Sequence, residues 1–302
     1  MANREKETSF NPLITIVVGT LNRPHVVLRL IDQLKVIAPS IQIEVLIIDQ
    51  SSPDNFLLIQ GQFPKLSNFS LVHFDKPNTC RYLNFGWENA QAPIVLYLDD
   101  DVSLTPATIS SHIKAYRDKG VLAVAGRVIN DGENVTPIDT VGKINWYGAE
   151  FIKNFNYSKN AYVDFPYGCN MSYQKKILEK VGGFDERFSS PTYSFNEVDL
   201  GYRLSSKWKN SILFVADALV FHHQYGMGGT RNDFEKEELM RGNCFNYGYF
   251  LGKNFTWWQT MLCFLRRFPY QIVNEPFNIP YIIKGFISSR STTAESRRRK
   301  EA

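Results

Sequence analysis

The sequence predicts an α/β fold: a mostly parallel central sheet flanked by helices, followed by a C-terminal helical extension. Three observations carry this reading. Short apolar runs alternate with helix-length amphipathic stretches through the first 127 residues, the rhythm of βαβ units. Those runs are apolar at consecutive rather than alternate positions, as strands are when helices cover both faces of their sheet. One run ends in three consecutive carboxylates, Asp99, Asp100 and Asp101, and open α/β sheets bind ligands beyond the carboxyl ends of their strands.

The elements follow in chain order. Residues 1–12 are polar and read as a flexible N-terminus without an apolar export signal. Strands are expected at 13–18 (LITIVV), 43–48 (IEVLII), 69–74 (FSLVHF), 93–98 (PIVLYL) and 121–126 (VLAVAG). Between them, HVVLRLIDQLKVI sets Val26, Leu30 and Leu34 on one helical face, and TPATISSHIKAYRDKG opens with Thr-Pro and closes on Gly, as helices often do. From about 128 the chain turns polar and rich in Gly and aromatics, which reads as irregular strands and loops over one edge of the sheet. Helices are expected at 174–181 and 196–207, then a strand within SILFVADALVFHH (211–223). From about 230 the pattern is helical, first polar, then aromatic and basic (FTWWQTMLCFLRRF), and it ends in a charged stretch, ESRRRKEA, expected to be disordered. The domain division is therefore an α/β domain at 13–229, with halves 13–127 and 128–229, and a helical extension at 230–302.

A chain of 302 residues, 44% hydrophobic, can bury a full core. Its net charge of +4 is uneven: residues 253–302 hold nine Lys or Arg against three Glu, so the basic character belongs to the tail. Cys80, Cys169, Cys244 and Cys263 form no CxxC pair, which argues against a zinc knuckle or a disulfide framework and fits a reducing compartment. No stretch of about 18 apolar residues spans a bilayer. The expected location is cytoplasmic, with peripheral contact at the inner face of the cell membrane through 255–290, where Trp257, Trp258 and Phe264 stand beside Arg266 and Arg267. A helical appendage packed on the α/β domain or on another subunit is the equal alternative. No nucleic-acid partner is expected, and oligomerisation stays open.

In an extended segment residues i and i+2 share a side, so Asp99 and Asp101 converge while Asp100 points elsewhere. Carboxylates crowded at the lip of a buried strand repel unless a cation offsets them, and hard oxygen ligands suit Mg2+ or Mn2+. A solvated loop in which one Asp caps the helix near Thr105 is the competing reading.

The neighbouring strings resemble family 2 glycosyltransferases with the Rossmann-like GT-A fold. ITIVVGTLNRP (14–24) is similar to the family's opening strand and Asn-Arg turn, VLIIDQSS (45–52) to its second strand with terminal Asp, and LYLDDDV (96–102) to its metal-binding DxD motif. YGCNMSY (167–173), GGFDERF (182–188), FNEVDLGYRL (195–204) and VFHH (220–223) follow in the family's order.

The resemblance implies an inverting enzyme that moves a sugar from a UDP- or dTDP-linked donor to a hydroxyl of a glycan or lipid-linked acceptor. It implies Asp99, Asp101 and His222 as ligands of Mn2+ or Mg2+, with His223 the alternative histidine. Thr20, Asn22, Arg23, Asp49, Asn84, Asp99, Asp100 and Asn170 would contact the donor, and Glu197 would be the base. The family usually has two acids before x-Asp-Leu; this chain reads Asn196-Glu197-Val198-Asp199-Leu200, which keeps a carboxylate at the base position. Ordinary first-turn dipole complementarity competes for Glu197, and a polar turn before Pro competes for Arg23. Arg81 is displaced from the family's usual place. Asp199 reads as a structural partner of Arg203, Asp185 as an organiser of the loop before Glu197, and Gly168 as a point of close approach. YGMGGTRND (225–233), with Arg231, resembles a lid over the diphosphate. Two other enzyme classes fit poorly: GTLNRP lacks the Gly-rich basic loop of a nucleotidyltransferase and the GxGxxG of a dinucleotide oxidoreductase. A non-catalytic sugar-nucleotide binder or scaffold derived from such an enzyme is the alternative from another class.

Overall fold

The computed structural model describes residues 10–133, 138–145, 150–188, 191–225, 229, 234–274 and 278–301, without the side chains at 267–274 and 292–301. The first half runs β1 (Ile14–Thr20), α1 (Pro24–Ile37), β2 (Ile43–Asp49), α2 (Pro53–Gln62), β3 (Phe69–His73), α3 (Thr79–Asn89) and β4 (Ile94–Asp99). It continues through β5 (Val102–Leu104), α4 (Thr108–Ala115) and β6 (Ala123–Asn130). Helices α1 and α2 each open on Pro, whose fixed φ suits a first turn. Asn78 caps α3, its side chain accepting from Arg81 N at 2.9 Å. β2 is buried at every position, which is why its sequence shows no alternation.

The second half comprises β7 (Lys143–Asn145), β8 (Glu150–Ile152), β9 (Ala161–Tyr162), β10 (Asn170–Gln174), α5 (Lys175–Val181), α6 (Asn196–Lys207) and β11 (Ile212–His222). Helices α7 (Lys236–Asn254), α8 (Trp257–Asn274) and α9 (Ile279–Glu301) complete the described chain. The sheet order is β3-β2-β1-β4-β10-β6-β11-β5, with β9 also on β11 and β7–β8 a separate ribbon. Parallel pairing sets Thr20 beside Asp49 and Gly19 beside Asp99, so the carboxyl ends of three strands form one ledge.

Three expectations need correction. Segment 170–174 does not lie over an edge of the sheet: β10 runs antiparallel between β4 and β6, at its centre. Its polar residues on one face, Asn170 and Ser172, imitate a solvated side, but His112 of α4 binds both from beneath, Nε2 to Asn170 Oδ1 at 2.8 Å and Nδ1 to Ser172 Oγ at 2.9 Å. Burial pushes the His112 pKa down to about 4, against the Asn170 bond that raises it, so the imidazole is neutral there. β6 crosses the 127/128 division between the halves. The basic end is not irregular either: α9 continues to Glu301, its last turns rich in Ala, Glu, Arg and Lys, which favour helix.

Helix α7 is packed into the body rather than appended to it. Its Gly248 and Gly252 lie against Ile282, Phe286 and Ser289 of α9, and Gly285 of α9 lies against the Phe245 carbonyl; a Cβ at any of the three would overlap backbone or a buried side chain. Lys253 of α7 bridges Asp185 (2.7 Å) and Asp199 (2.8 Å). Among the described residues no helix is long and apolar enough to cross a membrane.

Candidate active site

The ledge is built around Arg23. After β1 the chain turns through Asn22, which adopts a positive φ of 54°, a conformation Asn tolerates because its side chain bonds locally. Asn22 Oδ1 accepts from Ser52 N (3.0 Å) and Asn55 Nδ2 (3.1 Å), and Asn22 N donates to Ser51 Oγ (2.7 Å). The turn is thereby pinned to the end of β2, and Arg23 is aimed back at the carboxylates. Arg23 Nη1 donates to Asp100 Oδ1 (3.2 Å) and Asp101 Oδ2 (2.9 Å), while Thr20 Oγ1 donates to Asp100 Oδ2 at 2.6 Å.

Part of the repulsion within the triplet is therefore offset by the protein's own guanidinium. Burial lifts Asp100 to about 7 despite Arg23 and Thr20. Burial also raises Asp101, but the bond and charge of His222, with Arg23, outweigh it and hold that carboxyl below its ordinary value. Of the two carboxylates facing Arg23, Asp101 keeps the negative charge at neutral pH.

Asp99, Asp101 and His222, nominated as one ligand set, converge. His222 Nε2 stands 3.1 Å from Asp101 Oδ1 and 3.7 Å from Asp99 Oδ2. On its other side Asn130 Nδ2 donates to Glu133 Oε2 (2.6 Å), so Asn130 Oδ1 accepts from His222 Nδ1 (2.9 Å), which leaves Nε2 to face the carboxylates. Asp101 Oδ1 is buried without a well-directed hydrogen-bond donor. An imidazole nitrogen facing a buried carboxylate oxygen that is incompletely satisfied is a donor set that fits a divalent cation. Cys169 joins this group, its Sγ within 4.8 Å of ligand atoms of Asp99 and His222; no spacing rule singled it out, because it reaches the cluster only through the pairing of β10 with β4. His223 is engaged elsewhere, with Ser103 Oγ (2.7 Å) and Asp131 Oδ2 (3.1 Å).

Opposite, half-buried Glu197 sits in the first turn of α6 and lines the same cavity of about 830 Å³ as Thr20, Arg23, Asp99, Asp101 and His222. That volume lies in the range of small-ligand sites. The cavity also reaches Gln50, Tyr82 and Gly168; Tyr82 lies so close to Gly19 that a Cβ there would overlap its ring. Asp199, two residues on from Glu197, is fully buried and bonds Arg203 Nε (2.9 Å) and Asn254 Nδ2 (2.8 Å). It is the expected partner of Arg203 and also ties α6 to α7. Asp185 is held far below its ordinary pKa: burial opposes this, but bonds from Arg187 and the charge and bond of Lys253 prevail.

Four nominated donor contacts have their polar groups engaged within the protein. Asn22 is bound as described. Asp49 is wholly buried, its oxygens accepting from Ser51 Oγ (2.5 Å) and facing His73 Nδ1 (3.0 Å); the neighbouring Gln50 lines the cavity instead. Asn84 fills all four of its hydrogen-bonding positions: Nδ2 donates to Phe184 O (3.0 Å) and Glu186 Oε1 (2.9 Å), and Oδ1 accepts from Phe184 N (2.9 Å) and Trp87 Nε1 (3.1 Å). It clamps the 182–188 loop onto α3. Asn170 is buried at the sheet centre, where Nδ2 donates to Arg127 O (3.0 Å) and Ala218 O (2.8 Å) at the irregularity between β6 and β11. Arg81 is exposed, over the Phe74 ring. Arg231 and most of the nominated lid lie outside the described residues.

A mixed α/β architecture with a mostly parallel central sheet flanked by helices is that of the GT-A glycosyltransferases. The sequence comparison agrees: glycosyl transferase family 2 matches residues 15–182. The chain belongs to that family and is a glycosyltransferase. It is 23% identical over 270 residues to a chondroitin synthase of Pasteurella multocida (strain Pm70), covering 78% of this chain and 27% of that protein. The chain thus spans about a quarter of that relative's length. Among solved structures, S. aureus TarS 1–349 in complex with UDP-GlcNAc matches with a TM-score of 0.57 at 15% identity, over 91% of this chain and 81% of that one. A mycobacterial protein matches with a TM-score of 0.53 at 14% identity, over 80% and 75%. At these identities the structural likeness speaks for the fold.

Proposed function

We propose that the protein transfers a sugar from a uridine diphosphate donor to a hydroxyl of a glycan or lipid-linked acceptor, with inversion at the anomeric carbon. The carrying observation is that Glu197 and the Asp99–Asp101–His222 group line one cavity. The TarS structures in complex with UDP-GlcNAc and with UDP support a UDP-linked donor.

In this reading Asp99, Asp101 and His222 hold Mn2+ or Mg2+, with Cys169 beside them. The ion, when bound, offsets charge on the departing diphosphate. Thr20, Gln50 and Tyr82 lie at the end of the cavity beside β1 and β2, where the nucleotide is placed. Arg23, with Thr20, holds Asp100 and Asp101 in position and limits their mutual repulsion. Glu197 takes the proton of the acceptor hydroxyl as its oxygen bonds to the anomeric carbon, and the electron pair of the breaking C–O bond leaves with the diphosphate.

The test is Glu197→Gln. Binding of UDP-sugar by calorimetry is expected to persist while transfer falls by about 10²–10⁴. Turnover at the wild-type rate would remove Glu197 from the mechanism.

A further inference from the structure

Helix α8 is inverted with respect to an ordinary packed helix. Its inward face is small, with Thr260 and Cys263 buried and Phe264 against Phe286 of α9 at 6.0 Å. Among its described side chains, at 257–266, most of the large apolar ones point out: Trp257 is 69% exposed and Leu265 64%, with Trp258, Met261 and Leu262 between them. α9 lies alongside, tied by Arg290 Nη2 to Phe255 O at 2.8 Å, and turns out Ile283 and Ile287, the latter 60% exposed. Pro280, Ile283, Lys284 and Ile287 line a shallow apolar groove there. Large apolar side chains exposed in such numbers mark an interaction site.

We propose that this face, α8 with the outer side of α9, seats the protein on an anionic bilayer. Charge selects that occupant. Residues 257–274 contain no acidic side chain, exposed Lys284 and Arg266, the latter 3.9 Å from Glu150 Oε1, flank the apolar stripe, and the last fifty residues carry a net +6 from nine Lys or Arg and three Glu. A second copy would bring the same cations face to face across a two-fold interface, whereas anionic headgroups are their complement. Two adjacent tryptophans at the start of an amphipathic helix suit the boundary between headgroups and acyl chains. The face is also close to the cavity: Ile282, next to Ile283 on α9, lines it from the inside. Lipid-borne acceptors would then diffuse in the plane beside the cavity, which rests on the transfer reading; the seating itself does not.

The experiment is flotation of the full chain with vesicles of phosphatidylcholine alone or mixed with phosphatidylglycerol. The protein is expected to float with the mixed vesicles only, and to be released as salt screens the headgroups. Trp257→Glu combined with Leu265→Glu should abolish flotation at unchanged Tm, since both side chains are solvent-facing. Lys284→Glu, a milder change, should weaken binding at least about fivefold, the value of roughly one cation at such a surface. Wild-type protein that stays at the bottom of the gradient would overturn the proposal. So would a concentration-dependent dimer in sedimentation that the double variant dissociates without any effect on vesicles. Hydrolysis of UDP-sugar in free solution, measured in parallel, separates failure of the membrane face from failure of the transfer reading.

Discussion

Lys253→Met removes the charge that joins α7 to the body while keeping most of the apolar stem. In the wild type the ammonium contacts Asp185 Oδ2 at 2.7 Å and Asp199 Oδ2 at 2.8 Å, with the lysine side chain 19% exposed. Breaking a buried ion pair from one side costs about 3–5 kcal/mol, because a charge is left behind. Here the lower end applies: Asp199 keeps Arg203 and Asn254, and Asp185 keeps Arg187 and a bond from Tyr249 OH at 3.1 Å. At roughly 2–4 °C per kcal/mol for a chain near this size, Tm should fall by about 6–12 °C. The pH dependence supplies a second readout. Asp185 has a folded pKa below its unfolded one, so its stabilisation is present above about 3.9, the unfolded value, and is lost as pH falls toward the folded value. The Tm gap between wild type and variant should therefore be full at neutral pH and shrink once pH drops below about 4. Differential scanning calorimetry from neutral to acid pH measures both. An unchanged Tm, or a gap that widens in acid, would refute the account of Lys253 as the bridge between the two carboxylates.

Three further outcomes are expected. His222→Ala and Asp101→Asn should each abolish the manganese dependence of UDP binding in titration calorimetry, whereas His223→Ala, whose imidazole faces Ser103 and Asp131, should preserve it. Asn84→Ala should lower stability by about 2–4 kcal/mol, through unsatisfied buried groups in the 182–188 loop, with little change in UDP affinity; a selective loss of affinity at constant Tm would return Asn84 to the donor site. Gly248→Ala should cost about 1–3 kcal/mol by overpacking, since its Cβ would overlap the Ile282 carbonyl, whereas Gly61→Ala, with open space around its Cβ, should be neutral or slightly stabilising in thermal melts.

The order of the main strands and helices was legible because burial on both faces leaves continuous apolar runs, and the helix at 196–207 because its period is local. The convergence of Asp99, Asp101 and His222 was legible only through motifs, since 121 residues separate Asp101 from His222 in the chain. Hydrogen-bond saturation was not legible at all. Nothing in the string distinguishes an Asn that faces a ligand from Asn84 or Asn170, whose partners arrive from elements 100 and 48 residues away.

The sequence by itself determined the α/β class, the acidic strand end and a carboxylate at the start of α6, because each depends on neighbours within a few residues. The tertiary structure alone decided that Arg23 shares the carboxylates, that Cys169 joins them, that β10 enters the sheet centre, and that α8 turns its tryptophans outward. These depend on which distant surfaces meet, and chain connectivity constrains that only when the whole core is packed at once.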